Sequence, residues 1–128
     1  MNVEHVNYPQ LKQPFGAYCH AVRVDSLLFL SGFTALDTPA QHGDIVAQTE
    51  ATLDQIKSIL EAEGGGMKDI VKVTIYVTEL DRLMDIHKVR SRYFGSTYPA
   101  STLVRVVGLV RPELKIEIEA VAAVPQRS

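Results

Sequence analysis

The stretch that most limits what this chain can become is Tyr98-Pro99-Ala100-Ser101-Thr102-Leu103-Val104-Arg105-Val106-Val107, followed after a short turn by Lys115-Ile116-Glu117-Ile118-Glu119-Ala120. Both halves read as strands. In the second, apolar and acidic residues alternate, so Ile116 and Ile118 face one way and Glu117 and Glu119 the other. A sheet with one wholly apolar face must set it against helices, and charge inside otherwise apolar sheet is costly unless it is paired or used. The closing strand pair, with its arginine and two carboxylates, is therefore the candidate site.

The rest of the chain supplies partners for that sheet. Met1 to Pro14 mixes polar residues with prolines and reads as an irregular arm. Ala21–Val24 and Leu27–Ser31 flank a two-residue Asp25-Ser26 turn, the spacing of a tight hairpin. From Phe33 to Gly43, Thr, Pro, Asp and Gly mark a loop able to lie over a pocket. Asp44 is placed as an N-cap before Ile45, Thr49, Leu53, Ile56 and Leu60, whose three- and four-residue steps predict a helix that Gly64-Gly65-Gly66 stops. Val71, Val73, Ile75 and Val77 alternate as in a half-buried strand. Leu80 to Phe94 predicts a second amphipathic helix, ended by Gly95 and Pro99.

The order is strand, strand, helix, strand, helix, strand, strand: an α+β domain over residues 1–128, one sheet with two helices on one face. Two helices cannot also hide the other face, where Val, Leu and Ile recur, so oligomerisation through the open face is expected, with active sites at subunit boundaries. At 128 residues and 46% hydrophobic content the chain has enough core for one domain without staples. Thirteen Lys and Arg against fifteen Asp and Glu, net charge −2, leave no basic footprint for nucleic acid. The single cysteine permits no intrachain disulfide and fits a cytoplasmic setting. No apolar run approaches the roughly 20 residues that span a bilayer, and no basic, apolar leader opens the chain, so a soluble, untargeted protein is expected.

Glu117 and Glu119 share a face; either a solvated sheet face or a desolvated general acid/base fits the pattern, which does not choose between the two residues. Arg105 shares a strand face with Ser101, Leu103 and Val107, suited to gripping a carboxylate or to pairing with a glutamate on the next strand. His87 falls on the stripe Leu80, Met84, His87, Phe94 and is expected to face inward. No two of His5, His20, His42 and His87 stand four apart, so a helical zinc site is unsupported, and no phosphate-cradling loop or dinucleotide fingerprint occurs. Neither metal nor cofactor is expected. Cys19 is assigned to packing.

Gly16-Ala17-Tyr18-Cys19-His20-Ala21-Val22, Leu28-Phe29-Leu30-Ser31-Gly32, Gln48-Thr49, Val71 to Val77, Tyr93-Phe94, Tyr98-Pro99-Ala100 and Ile116-Glu117-Ile118-Glu119-Ala120 together resemble the RidA (YjgF, reactive-intermediate deaminase) family along nearly the whole chain. The resemblance implies a chorismate-mutase-like fold, a homotrimer whose sheets form a central barrel, and three clefts between subunits. It implies cofactor-independent hydrolysis of reactive 2-imino acids to 2-keto acids and ammonia, with Glu117 as the water-activating carboxylate. Tyr18, Ser31 and Gly32 match pocket positions.

The sequence departs from that pattern at three substrate-binding positions. Ser101 stands where the deaminase branch has an arginine that grips the substrate carboxylate, Leu103 where a small residue or cysteine is usual, and His87 where an asparagine is usual. Arg105 lies two residues beyond Ser101 on the same strand face, about 6.8 Å away in Cα spacing. The departures shift the expected substrate away from 2-iminobutyrate, toward a larger or dicarboxylic enamine of the aminomuconate kind. A small-metabolite-binding or tautomerase/cyclase role is the alternative. An endoribonuclease role, also attached to the family, is disfavoured by the acidic charge.

Overall fold

Alternation in the last strand sets the layers. In a computed structural model, which describes residues 1–126, the elements are β1 (Val3–Val6), β2 (Ala21–Val24), β3 (Leu27–Phe33), α1 (Ile45–Ala62), β4 (Ile70–Val77), α2 (Leu83–Phe94), β5 (Ala100–Arg105) and β6 (Ile116–Ala123). They form one six-stranded sheet in the order β1-β2-β3-β6-β4-β5, antiparallel except for the β4/β5 pair. Ile116, Ile118, Ala120 and Ala122 of β6 are buried with Val73, Ile75 and Val77 of β4 against the helices, as the period of two requires. Glu117 and Glu119 face the other way, toward the face that no helix covers.

Helix α1 forms where its capping and periodicity agree. Asp44 Oδ1 accepts from the Ala47 N–H at 2.9 Å, and Ile45, Thr49, Leu53, Ile56 and Leu60 are all buried. Gly64, at φ +81°, then lets its own N–H reach Glu61 O (3.1 Å) and the Gly65 N–H reach Leu60 O (2.8 Å), the paired bonds that close a helix end. Buried Gln48 is a latch. Its Nε2 donates to Gln41 O, Gly43 O and Glu113 O while its Oε1 accepts from the Lys115 N–H, tying both long loops to α1.

Four differences from the sequence-based expectation have physical causes. The arm before Pro14 contains a strand, β1, paired with β2 from Val3↔Val24 to Val6↔Ala21; it is short, at the sheet edge and has no buried residue, so it carries no apolar signature. Helix α2 starts at Leu83, three residues later than expected, because Leu80–Arg82 form the turn closed by Leu83 N–H to Leu80 O.

Its inward side is Ile86, Val89 and Phe94, while Leu80 and Met84 are exposed and His87 is half-buried. The steps of three and four through Leu80, Met84 and His87 run along one side of the helix, whereas Ile86 and Val89 on the adjoining side carry the burial. Arg105 is not inside the sheet. It is exposed at the end of edge strand β5 and donates to Thr78 O at 3.3 Å. The arginine inside the sheet is Arg23 of β2, whose Nη1 donates to Glu63 at 3.0 Å and whose guanidinium also bonds the carbonyls of Asp25 and Pro125.

Candidate active site

A one-residue irregularity in β3 builds the site. Leu30 pairs with Ala120 and Phe33 with Ile118, so three steps on β3 match two on β6. The extra residue keeps Leu30 and Phe33 both inward and leaves Ser31 and Gly32 at the mouth of a cavity of about 370 Å³. Its walls also come from the arm (Lys12, Phe15, Tyr18), the loop after β3 (Leu36, Asp37), α1 (Gln55) and Val110. The loop from Phe33 thus does line a pocket, as its composition predicts.

Glu117 enters this cavity from β6. A Cβ on Gly32 would lie 2.2 Å from Glu117 Oε2, so the glycine is what leaves room for the carboxylate. Burial, and secondarily the charge of Glu119, raises the Glu117 pKa above the ordinary carboxylate value. Glu119 has a different fate: it accepts from Tyr76 Oη at 2.5 Å, which together with burial raises the tyrosine pKa. The two carboxylates left open by the sequence pattern are thereby distinguished, one facing the cavity and one held by a phenol.

The adjoining wall is fixed by Ser31 and His20. Ser31 Oγ donates to Cys19 O at 2.6 Å, and the Ser31 N–H to His20 O at 3.0 Å. The buried His20 accepts from the Tyr8 N–H on Nδ1 (2.9 Å), so Nε2 carries the proton and donates to Lys12 O (2.9 Å). This ring, stacked on Tyr8 at 6.0 Å, pins the arm that carries Lys12 and Tyr18. The sequence set His20 aside as a zinc ligand but gave no sign of this role, because its partners lie 8 and 12 residues away. Tyr18 is exposed at the rim, its ring edge-on to Phe15 at 5.8 Å. Cys19 is half-buried, its thiol donating to Ala21 O.

The remaining expected site residues lie elsewhere. Register pairs Ser101 with Val73, Leu103 with Ile75 and Arg105 with Val77, which puts all three on the helix side of β5, two strands from β6 and on the face opposite Glu117. His87, on α2, is beside them. A single chain therefore unites Tyr18, Ser31, Gly32 and Glu117 and keeps His87, Ser101, Leu103 and Arg105 apart from them. One guanidinium that sequence reasoning did not consider stands among the second group: Arg90 of α2 donates from Nη2 to Ser101 Oγ at 2.7 Å, with Nη1 3.4 Å from His87 Nδ1.

A mixed sheet backed by two helices, with a carboxylate cavity at a strand irregularity, defines a small α+β protein of the chorismate-mutase-like class. The endoribonuclease L-PSP family model matches residues 10–124, and the chain belongs to that family, which includes the YjgF and RutC proteins. It is 37% identical over 113 residues to a RutC family protein of Pyrococcus abyssi, covering 86% of this chain and 88% of the relative. To the 3-aminoacrylate deaminase RutC of Acinetobacter baylyi it is 37% identical over 114 residues (87% and 90% covered). To the 2-iminobutanoate/2-iminopropanoate deaminase of Dermatophagoides farinae it is 29% identical over 122 residues (93% and 94%).

Among solved structures, the Escherichia coli YjgF gene product superposes with a TM-score of 0.84 at 28% identity, covering 94% of this chain and 98% of that one. E. coli TdcF with bound serine gives 0.84 at 28%, covering 98% and 99%. Imine and enamine deamination is thus an activity found within the family. No helix among the described residues is long and apolar enough to cross a membrane.

Proposed function

We propose that this protein is a hydrolytic deaminase of small reactive enamines and imines, with Glu117 as general acid/base. The observation that carries the reading is the half-buried Glu117 carboxylate seated over Gly32 in a polar-rimmed cavity, its pKa raised by burial. A carboxyl that holds its proton more tightly than usual can give it to the imine nitrogen or enamine carbon, then take one from the attacking water. Water adds to the C=N carbon, the C–N bond of the resulting carbinolamine breaks, and ketone and ammonia leave. Protons pass through one group, and Tyr18 and the Ser31 side orient the substrate. The sequence relation to two deaminases of carboxylate-bearing enamines and imines supports the class.

Ser101, Leu103 and His87, in place of the residues usual in the deaminase branch, favour a substrate other than 2-iminobutyrate, such as an aminomuconate-like enamine. The working form we propose is a cytoplasmic homotrimer with the cavity completed in a cleft between copies. The test is ammonia release from imines made in place by an amino acid oxidase, followed by a panel of unsaturated amino acids. Wild type should release ammonia well above the uncatalysed rate on at least one, and Glu117→Ala should not. Equal rates for the two proteins on every substrate would remove the proposal. Ligand binding without ammonia release would favour the non-hydrolytic alternative.

A further inference from the structure

Arg90 is a half-buried guanidinium with no acidic partner among the described residues. Arg23, Arg82 and Arg92 each meet a carboxylate within 3.0 Å, whereas Arg90 makes no ion pair among the described residues. It is half-buried on α2, and burial alone lowers its pKa, with no anion opposing the effect; in Arg82 hydrogen bonds to Asp44 and Asp85, helped by their charge, raise it. An uncompensated, partly desolvated guanidinium costs stability unless an anion arrives to use it. The Ser101 hydroxyl and the His87 ring hold two of its nitrogens, and Arg has five N–H donors, so donors remain for a bidentate partner.

The proposed substrates carry a carboxylate, and the Glu117 cavity supplies a single formal cation of its own, Lys12, which is exposed at the rim. A solvated ammonium on a flexible stem is a weaker handle than a positioned guanidinium fork. Arg90 and Glu117 lie on opposite faces of the sheet, and β5 is an edge strand, so one substrate can meet both only where the edge of one copy reaches the cavity of another. We infer that Arg90, steadied by Ser101 and His87, is the carboxylate-gripping residue for the Glu117 site of a neighbouring copy of this chain. The inference rests on the deaminase reading and names its substrate-binding cation.

Three arms test it. For a 2-imino acid, Arg90→Ala should raise KM roughly 10- to 100-fold with a much smaller change in kcat, and Arg90→Lys should recover only part of the loss. Lys12→Ala, which removes the cavity's own cation, should raise KM by much less than Arg90→Ala does. Arg90→Gln with an unchanged melting temperature guards against a folding defect. When Arg90→Ala and Glu117→Ala chains are co-expressed with different tags and mixed oligomers isolated, one intact site forms per ring, so a ring of three recovers roughly a third of wild-type activity.

A wild-type KM in folded Arg90→Ala or Arg90→Gln overturns the inference, and a KM rise confined to Lys12→Ala assigns the role to the cavity's own chain. Mixed oligomers no more active than their parents would remove the neighbouring copy. Calorimetric titration with pyruvate is independent of turnover. If wild type releases no ammonia but binds pyruvate, and Arg90→Ala loses that binding, the deaminase reading falls and the Arg90 site stands; if neither activity nor pyruvate binding depends on Arg90, the site falls.

Discussion

A Cβ built on Gly32 would stand 2.2 Å from Glu117 Oε2 and 2.8 Å from its Cδ, so Gly32→Ala forces the carboxylate to move. The atoms that must give way belong to the end of a flexible side chain, and the fold should tolerate the change at under about 1 kcal/mol. Activity should not tolerate it, because displacing a reacting group by about 1 Å costs on the order of 100-fold in rate. Unchanged melting with a large loss of kcat is the expected result.

The raised pKa of Glu117 has a second consequence at this scale. Between the ordinary carboxylate value and the raised one, the folded protein binds more protons than the unfolded chain, so this residue costs stability as pH rises through that window. Glu117→Gln should therefore melt slightly higher than wild type at neutral pH, on the order of 1–3 °C given partial solvent screening. The gain should vanish below the ordinary carboxylate range, where both states are protonated. Glu119→Gln removes the neighbouring charge and should shift to lower pH the alkaline limb of the rate profile, where Glu117 loses the proton it gives to the substrate.

At the scale of elements, Gln48 joins three segments through one amide. Gln48→Ala would leave the Lys115 N–H and the carbonyls of Gln41, Gly43 and Glu113 without this partner, at roughly 2–3 kcal/mol for buried groups. The loops carrying Asp37 and Val110 into the cavity should loosen with it, seen as faster amide exchange between residues 34 and 43. Helix α1 was legible in sequence because Asp44, the apolar steps and the glycine stop all agree. β1 was not, since a four-residue edge strand with no buried residue has no pattern to read. The inward side of α2 was misassigned because two overlapping registers of three- and four-residue steps run along it, one through Leu80, Met84 and His87 and one through Ile86 and Val89, and only the fold buries the second.

For the candidate site, strand alternation reached only the Glu117 and Glu119 pair, and it was the family resemblance that singled out Glu117 and added Tyr18, Ser31 and Gly32; those four line one cavity, while Glu119 is held by Tyr76 instead. The pairings Arg23–Glu63 and Arg90–Ser101 were not legible, since each joins two elements whose approach only the fold decides.

At the scale of the whole molecule, both helices lie on one face of the sheet and the other face has none over it. It carries Val22 and Val24 of β2, Leu27 and Phe29 of β3 and Val104 of β5, with Leu27 39% and Phe29 43% exposed, beside the polar Lys72, Thr74 and Tyr76 of β4. Side chains of this kind left wet across neighbouring strands suit the proposed contact between copies, and a stable interface buries about 800 Å² per partner. The surface exposed is 6917 Å², so roughly a ninth of it would be covered. Phe29→Lys places a charge in that face without entering the helix-side core, where Leu28 and Leu30 pack. The variant should keep its far-UV circular dichroism while its mass by light scattering falls from that of an oligomer to that of one chain. If sites are completed across copies, ammonia release falls in the same fractions, and Arg90→Ala adds no further loss in the monomer. A wild-type protein that already runs as one chain at micromolar concentration would end the trimer proposal, and with it the role of Arg90 in a neighbour's cavity.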